Sequence, residues 1–572
     1  MKILSRSNLT LALIFLLAAF FRFYNINWDS GHQMHPDERA IVMTVDRLEF
    51  PDSLSEFLSP QSSWNPQFFA YGSFPMYLLK VTGDAVNNFN SSYDNYTPIT
   101  LIGRFISALF DLITVFLLYK ITRKLFNAAT GLFAAIFYSI SVLPIQLSHF
   151  FAVDTILTCF ILATLYFLIR FYEKPSARSA LVVGLFFGLS LATKISASVL
   201  IASIGLALTA DFILIFLKNP HRPKHWLPHL PRSIKHLLKY AFAIAVSTLF
   251  TFIFFEPYAV IDFATFWQQT TQQSELTINP FYFPYTLQFV SKIPYIYEFK
   301  NIFLWGLGPV ISIFAFAGTA YFAFRLFGKD RNTQFAKELI LFTFFFVYIL
   351  IVGKFAVGFM RYMLPVYPLF ALFAAVLVYK LILMLNSQIK NKLILNTLYL
   401  ILATSLLVWP LSFMEIYARP NTRIMASYWI YNNVPLNKTV AVEHWDDQLP
   451  IGQPISYNTQ ILKLYEPDTK EKWEEVNKQL ATTDYIIIAS NRLYAPLQSL
   501  TDCKKLPSYR CYPKTAEYYQ RLFSGNLGFE KVAEFTSYPT IPIANLRIND
   551  QGADENFTVF DHPKIMIFQK TR

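Results

Sequence analysis

Phe342-Thr343-Phe344-Phe345-Phe346-Val347-Tyr348-Ile349-Leu350-Ile351-Val352 is the stretch on which the fold turns. It carries no charge, and its residues are almost all large and apolar. Leu9–Phe21 and Gly131–Leu143 repeat the pattern. Several such runs approach the roughly 20 apolar residues needed to cross the hydrocarbon core of a bilayer.

Composition agrees. The chain has 572 residues, 54% hydrophobic and 15% charged, with a mean hydropathy of +0.36. A soluble domain carries about 25% charged residues, and here the deficit lies in the apolar runs. The 58 Phe and 33 Tyr suit lipid-facing and interfacial positions, so their excess does not by itself indicate a ligand site. The net charge of +12 raises a nucleic-acid reading. That reading is rejected, because the positive charge is scattered over short loops between apolar runs. The first apolar stretch is followed by Phe21-Arg22-Phe23-Tyr24 with no small-residue cleavage motif, so it reads as a retained span.

Working outward, about eleven spans are expected, at 8–24, 99–119, 128–144, 152–171, 180–195, 198–217, 238–256, 301–327, 338–352, 362–385 and 393–413. One set of loops is basic and nearly free of acids. It contains Lys2 and Arg6, Arg123 and Lys124, Lys174 and Arg178, Lys218 to Lys235, Lys329 to Lys337, and Lys390 and Lys392. The other set begins with a long loop, 25–98, rich in Asp and Glu. The positive-inside rule then places the N-terminus in the cytoplasm of a cell whose plasma membrane the chain spans, and an odd span count leaves the C-terminus outside. The expected organisation is a polytopic α-helical membrane domain over 1–413 and an extracytoplasmic α/β domain over 414–572. In the latter, Thr439–Glu443, Tyr485–Ala489 and Lys564–Gln569 read as buried strands and Lys470–Leu480 as a helix. Cys159 falls inside a span. Cys503 and Cys511, if outside, form either a local disulfide or two free thiols.

An ionisable group inside a bilayer is costly and usually functional. Basic residues at the cytoplasmic ends can snorkel. The others gather at the opposite side: Asp37 and Glu38 in the first outer loop, Arg104, Asp154, Lys194, Glu256, and Lys354 and Arg361 around the loop before the tenth span. A cavity open to the outer leaflet accounts for the set better than scattered interfacial residues do. Arg104 and Asp111 share a helical face and could pair. His35 and His149 flank the acids. A divalent metal on Asp37, Asp154, His35 and His149 is conceivable but has no ligand spacing to support it. Asn90, Asn95, Asn437 and Asn556 head sequons short enough to arise by chance. His444-Trp445-Asp446-Asp447 reads as a sugar-binding cluster or a plain surface loop.

Six segments occur in order: His35-Pro36-Asp37-Glu38, Tyr71-Gly72-Ser73-Phe74-Pro75, Gly103-Arg104-Phe105-Ile106-Ser107, Ser148-His149-Phe150-Phe151-Ala152-Val153-Asp154, Ala192-Thr193-Lys194 and Arg361-Tyr362-Met363-Leu364-Pro365. Over roughly residues 1–380 this series resembles the GT-C glycosyltransferases. Within them it is most similar to prokaryotic members of the dolichyl-phosphate-mannose–protein mannosyltransferase group, including the relatives that put aminoarabinose on lipid A. Those relatives typically carry Lys where this chain has Ser73, which weakens any claim to their substrate. The tail, Asp554-Glu555-Asn556-Phe557-Thr558-Val559 and Asp561-His562-Pro563, resembles that of other members of the group and suggests no chemistry of its own.

The resemblance implies a polyprenyl-phosphate-linked sugar donor, an acceptor of unknown class (protein, lipid or glycan), and inverting displacement of phosphate from the anomeric carbon. Asp37 is the implied base, with Glu38 its alternative and Asp154 the second acid. Lys194, Lys354, Arg361 and, less directly, Arg104 would face the leaving phosphate. Neither a Walker loop nor a dinucleotide fingerprint occurs, as suits a sugar already carried on lipid. The competing reading is a transporter or lipid flippase, in which charges sit near the midplane between repeated halves.

Overall fold

The computed structural model describes residues 6–89, 96–218, 224, 227–328, 332–452 and 457–571. The sequons at Asn90 and Asn95 and the loop residues Lys2, Arg222, Lys329 and Arg331 lie outside them. Each of the eleven apolar segments is largely helical. Among the described residues, eight helices are long and apolar enough to cross a membrane on their own. The pair Ala128–Ser139 and Val142–Ser148 makes a ninth candidate, bent by 59°. At the bend Ser141 is extended (φ −74°, ψ 131°), and Pro144 has no N–H with which to continue the helical ladder. Ser7–Phe23 and Ala177–Leu191 are apolar but shorter.

The chain is a multi-pass helical membrane protein with a sheet-containing C-terminal region. Bulky side chains such as Phe250, Phe254, Phe327 and Leu393 point outward, where only lipid suits them. The bundle centre is the helix Tyr367–Gln388, whose first nine residues are all fully or almost fully buried.

The C-terminal sheet has strands β1 (Thr439–Glu443), β2 (Asn458–Leu462), β3 (Tyr485–Ile488), β4 (Phe529–Phe535) and β7 (Ile565–Lys570), in the order β2-β1-β3-β7-β4. A separate two-stranded ribbon pairs β5 (Thr540–Ile541) with β6 (Leu546–Arg547). The β2-β1-β3 pairs are parallel, and β7 runs antiparallel to both its neighbours. Alternate side chains go to opposite faces. Val440 and Val442 pack with Ala426 and Ile430 of the helix Thr422–Asn433. Ala441, Ile486 and Ile488 pack with Val476 and Leu480 of the helix Lys470–Thr482, and with Tyr519 and Leu522 of Pro513–Phe523. The three strands and the helix read from sequence are present. Cys503 and Cys511 are joined as a disulfide, and Cys159 is buried and free.

After the ribbon the chain leaves the sheet and docks among the bundle helices. Phe557, Val559 and Phe560 belong to the same apolar cluster as the bundle. Gln146 donates to the Phe557 carbonyl at 2.8 Å and to Asp561 at 2.9 Å, and the Tyr417 hydroxyl donates to Asp561 at 2.9 Å. His562 is clamped between Asp561 at 2.5 Å and Asp550 at 2.8 Å. Burial opposes charging this imidazole, but the two aspartates outweigh it and lift its pKa to about 10.

Candidate active site

The six ordered segments meet at the end of the bundle that faces the sheet. His35 caps the helix Pro36–Asp46: its Nδ1 accepts from the Glu38 N–H at 3.4 Å, and Pro36 starts the first turn. Asp37 and Glu38 are successive residues about 100° apart around that helix. Glu38 turns inward, where it is fully buried against Arg104. Its oxygens lie 2.6 and 2.9 Å from the guanidinium, and one also accepts from the Phe151 N–H at 2.8 Å. Asp29 takes the other edge of Arg104 at 2.7 and 3.0 Å, and the Trp28 ring lies below it. Burial raises the Glu38 pKa against the pull of Arg104. Gly103 permits the approach, because a Cβ there would sit 2.5 Å from the Phe151 ring.

Asp37 turns the other way, into a cavity of about 820 Å³. Asp154, the first residue of the helix Asp154–Glu173, points toward the same place. Arg361, on the 3-10 turn Met360–Val366, lies between them: Nη2 is 3.0 Å from Asp37, and Nε is 3.7 Å from Asp154. Lys194 reaches Asp154 at 2.9 Å. The two cations and two anions balance. The Tyr362 ring carries both Lys194 (4.8 Å) and Arg361 (5.6 Å) over its face, and Phe359 supports Arg361 at 4.8 Å. Burial pushes the Asp37 carboxyl up, but Arg361 and, behind it, Lys194 outweigh it, and the net shift is downward. Asp37 is therefore ionised at neutral pH.

Backbone contacts hold these parts in register. The Gly72 N–H donates to the Thr193 carbonyl at 3.0 Å and the Phe74 N–H to the Ala192 carbonyl at 3.1 Å. A Cβ on Gly72 would lie 1.9 Å from the Ala192 oxygen, so only glycine lets the two segments touch. Tyr71 and Lys194 are thereby brought together, with Lys194 5.7 Å from the Tyr71 ring. Glu256, also in the cavity wall, accepts from both the N–H and the hydroxyl of Ser73, the latter at 3.0 Å.

Of the residues singled out from sequence, Asp37, Asp154, Lys194 and Arg361 are brought together. Glu38 and Arg104 form a separate buried cluster, and Lys354 is exposed and does not line the cavity. The expected Arg104–Asp111 pair does not form. Seven residues are two helical turns, about 10.5 Å of rise, so each partners across to another element: Asp111 takes Arg22 at 2.5 Å. His35 is buried between Phe150 and Phe560, and burial lowers its pKa to about 3. The ring nitrogens of His149 lie 2.9 and 3.0 Å from the Ile145 and Tyr24 carbonyls. Among the described residues no group of three or more His, Cys, Asp or Glu is placed to hold a metal. With Arg361 and Lys194 already on the two carboxylates, the residues do not fit a divalent ion.

Sequence reading missed Tyr71, Tyr285, Tyr362, Arg492 and Asn556, which all line the cavity. Tyr71 and Tyr362 stood inside the quoted motifs, but nothing marked them above other aromatics. Trp445 lines the cavity too. Asp446 and Asp447 are structural, pairing with Arg423 at 3.3 Å and Arg39 at 3.0 Å.

Residues 100–250 match the family model described as Dolichyl-phosphate-mannose-protein mannosyltransferase. The archaeal oligosaccharyltransferase AglB from Archaeoglobus fulgidus, solved with an inhibitory peptide and a dolichol-phosphate, superposes with a TM-score of 0.51 and 13% identity, over 99% of this chain and 88% of that one. The chain has the GT-C glycosyltransferase fold. Two further GT-C structures are similar at lower scores. ArnT from Cupriavidus metallidurans bound to undecaprenyl phosphate gives a TM-score of 0.41 at 13% identity, covering 74% of this chain and 72% of that one. The S. cerevisiae protein O-mannosyltransferase Pmt1-Pmt2 complex bound to the sugar donor gives 0.30 at 18%, covering 50% and 36%. No curated protein matches the sequence significantly. The resemblance read from the ordered motifs is thus borne out in fold, and over residues 100–250 by the family model.

Proposed function

We propose that this GT-C protein is a membrane glycosyltransferase that moves a sugar from a polyprenyl-phosphate donor to an acceptor hydroxyl on the extracytoplasmic side of the plasma membrane, with inversion. One observation carries the reading: Asp37 and Arg361 sit 3.0 Å apart in a cavity walled by both charged and apolar side chains. The apolar part is lined by Ile195, Val199, Phe252, Ile351 and Val352, on helices that also face lipid. That shape suits an anion on an isoprenoid tail. The dolichol-phosphate held by the archaeal oligosaccharyltransferase belongs to that class.

In the proposed step, the acceptor hydroxyl loses its proton to Asp37, and its oxygen bonds to the anomeric carbon from the face opposite the phosphate. The bond from that carbon to the phosphate oxygen breaks, and its electron pair leaves on polyprenyl phosphate. The phosphate gains negative charge, and Arg361 and Lys194 are the cations positioned to stabilise it. On donor binding, before the proton moves, Arg361 exchanges carboxylate for phosphate, which frees Asp37 and strengthens it as a base. Asp154 orients both cations. Glu38 and Arg104 become positioning residues that fix the helix carrying Asp37, and Lys354 leaves the phosphate site. The N-terminus is proposed to be cytoplasmic. The chain is proposed to divide into a catalytic unit over 1–413 and an extracytoplasmic unit over 414–572.

The test is binding and turnover of radiolabelled polyprenyl-phosphate sugars by the purified full chain in lipid nanodiscs. Arg361→Ala is expected to weaken donor binding and to lower transfer by about 100-fold or more. Unaltered binding and transfer in that variant would sink the assignment. Movement of intact donor across a bilayer without release of sugar would favour a flippase.

A further inference from the structure

The tail motif Asp554 to His562, which suggested no chemistry in the sequence, forms part of the cavity roof. Asn556 and Phe560 line the cavity beside Arg492 and Trp445. The tail is held firmly, by the His562 clamp and by the Gln146 and Tyr417 bonds to Asp561. Glu555 accepts from Arg492 Nε at 2.6 Å and from Gln288 at 2.7 Å. Phe560 packs on His35, two residues before Asp37, with ring centroids 4.3 Å apart and planes tilted by 55°. The roof and the reaction centre are therefore one site. Tyr285 lies within electrostatic reach of Asp37 and Arg361 on one side and of Arg492 and Glu555 on the other.

Within this anchored roof one polar atom is left over. Asn556 uses its backbone N–H on Asp554, but its buried side-chain Nδ2 has no hydrogen-bond partner. A buried amide donor without a partner is costly, and native structures rarely leave one without a reason. The neighbouring groups suggest what completes it. Trp445 is 43% exposed and sits at a φ of 76°, a left-handed conformation that tertiary contacts must maintain. Its indole offers a flat apolar face, and Arg492 adds a cationic donor set. A flat apolar face flanked by an amide and a guanidinium suits a sugar ring, with C–H groups on the indole and hydroxyls on the donors.

We infer that Trp445, Arg492 and Asn556 form a carbohydrate subsite, in which the Asn556 amide donates to a sugar hydroxyl. This rests on the glycosyltransferase reading above. The sugar is either the one carried by the donor or part of an acceptor glycan. The same geometry places Asn556 inside the site, so its sequon is not a surface modification point.

The test measures binding to the full-length protein in nanodiscs. Wild type, Asn556→Ala and the size-matched Asn556→Leu are titrated with bare polyprenyl phosphate, and with polyprenyl phosphate bearing mannose or glucose. Free mannose and glucose oligosaccharides are titrated in a second arm. Bare polyprenyl phosphate should bind all three proteins equally, which also shows that the variants are folded. The affinity added by a sugar should fall about two- to tenfold in both variants. Loss confined to the glycosylated lipid identifies the donor sugar, and loss confined to the oligosaccharides identifies an acceptor glycan. An added affinity that is absent from wild type, or equal in all three proteins, in both arms overturns the subsite. Failure of wild type to bind any polyprenyl phosphate would instead overturn the donor assignment. Sugar binding that still depended on Asn556 would uphold the subsite in that case.

Discussion

Replacing Glu38 by Ala separates the roles of two adjacent acids. Glu38 and its partners Arg104 and Asp29 are fully buried, and Glu38 supplies two of the oxygens that hold the guanidinium. Asp29 still balances the Arg104 charge, but the buried Nε–H loses its acceptor and a cavity opens, a loss of about 3–5 kcal/mol. The Phe151 N–H also loses its acceptor. With about 2.1 cal/mol/K of unfolding entropy per residue, a loss of that size lowers Tm by about 3–4 °C over 572 residues. Asp37→Asn removes a partly exposed charge and leaves Arg361 with Asp154 as its partner, so it should lower Tm by less than Glu38→Ala does. The assay is thermal unfolding of both purified variants, alongside transfer activity normalised to the folded fraction. Glu38→Ala should lose stability and keep activity per folded molecule to within about tenfold, whereas Asp37→Asn should do the reverse. A Glu38→Ala protein as stable as wild type but inactive would refute the division of roles.

Gly72→Ala should be destabilising by about 1–3 kcal/mol, because the new Cβ meets the Ala192 carbonyl; thermal unfolding measures it, and a neutral result would show that the loop can shift. The Asp37 carboxyl sits below the usual range, held down chiefly by Arg361 against burial. The acid limb of kcat/KM should therefore lie below the ordinary Asp value of about 3.9, and a limb near pH 6 would point to another base. His562 has a folded pKa raised to about 10, so its stabilisation is complete below the unfolded value of about 6.5 and is lost as pH rises through about 10. Proteolysis of the tail should accelerate across that window, and His562→Gln should flatten the dependence.

The membrane bundle was legible because lipid leaves so simple a signature. Uncharged runs such as Phe342–Val352 have few other uses. The bend between Ala128–Ser139 and Val142–Ser148 was not, since it rests on the extended backbone of Ser141 within an otherwise continuous apolar run. In the sheet, β1 and β3 were visible as apolar runs. The edge strands β2, Asn-Thr-Gln-Ile-Leu, and β4, which is charged, carry no such run, because edges need no continuous apolar pattern.

The site was half legible. Charges gathered at one end of the bundle could be listed from sequence, but not sorted. Asp37 and Glu38 are neighbours in the chain, yet a 100° step around one helix sends one to the cavity and the other to Arg104. Arg22 finds Asp111 across 89 residues and Arg104 finds Glu38 across 66, separations that local spacing cannot reveal. The tail was least legible, because Asn556 and Phe560 acquire their roles only when residues more than 500 positions from His35 return to it.

The central claim is that Asp37 takes the acceptor proton while Arg361 meets the leaving phosphate. The most direct measurement is single-turnover release of sugar from radiolabelled polyprenyl-phosphate donor by wild type and Asp37→Asn, with donor binding recorded in the same samples. The account predicts bound donor in both proteins and release that is slower by about 100-fold or more in the variant. Bound donor released at the wild-type rate by Asp37→Asn would contradict it.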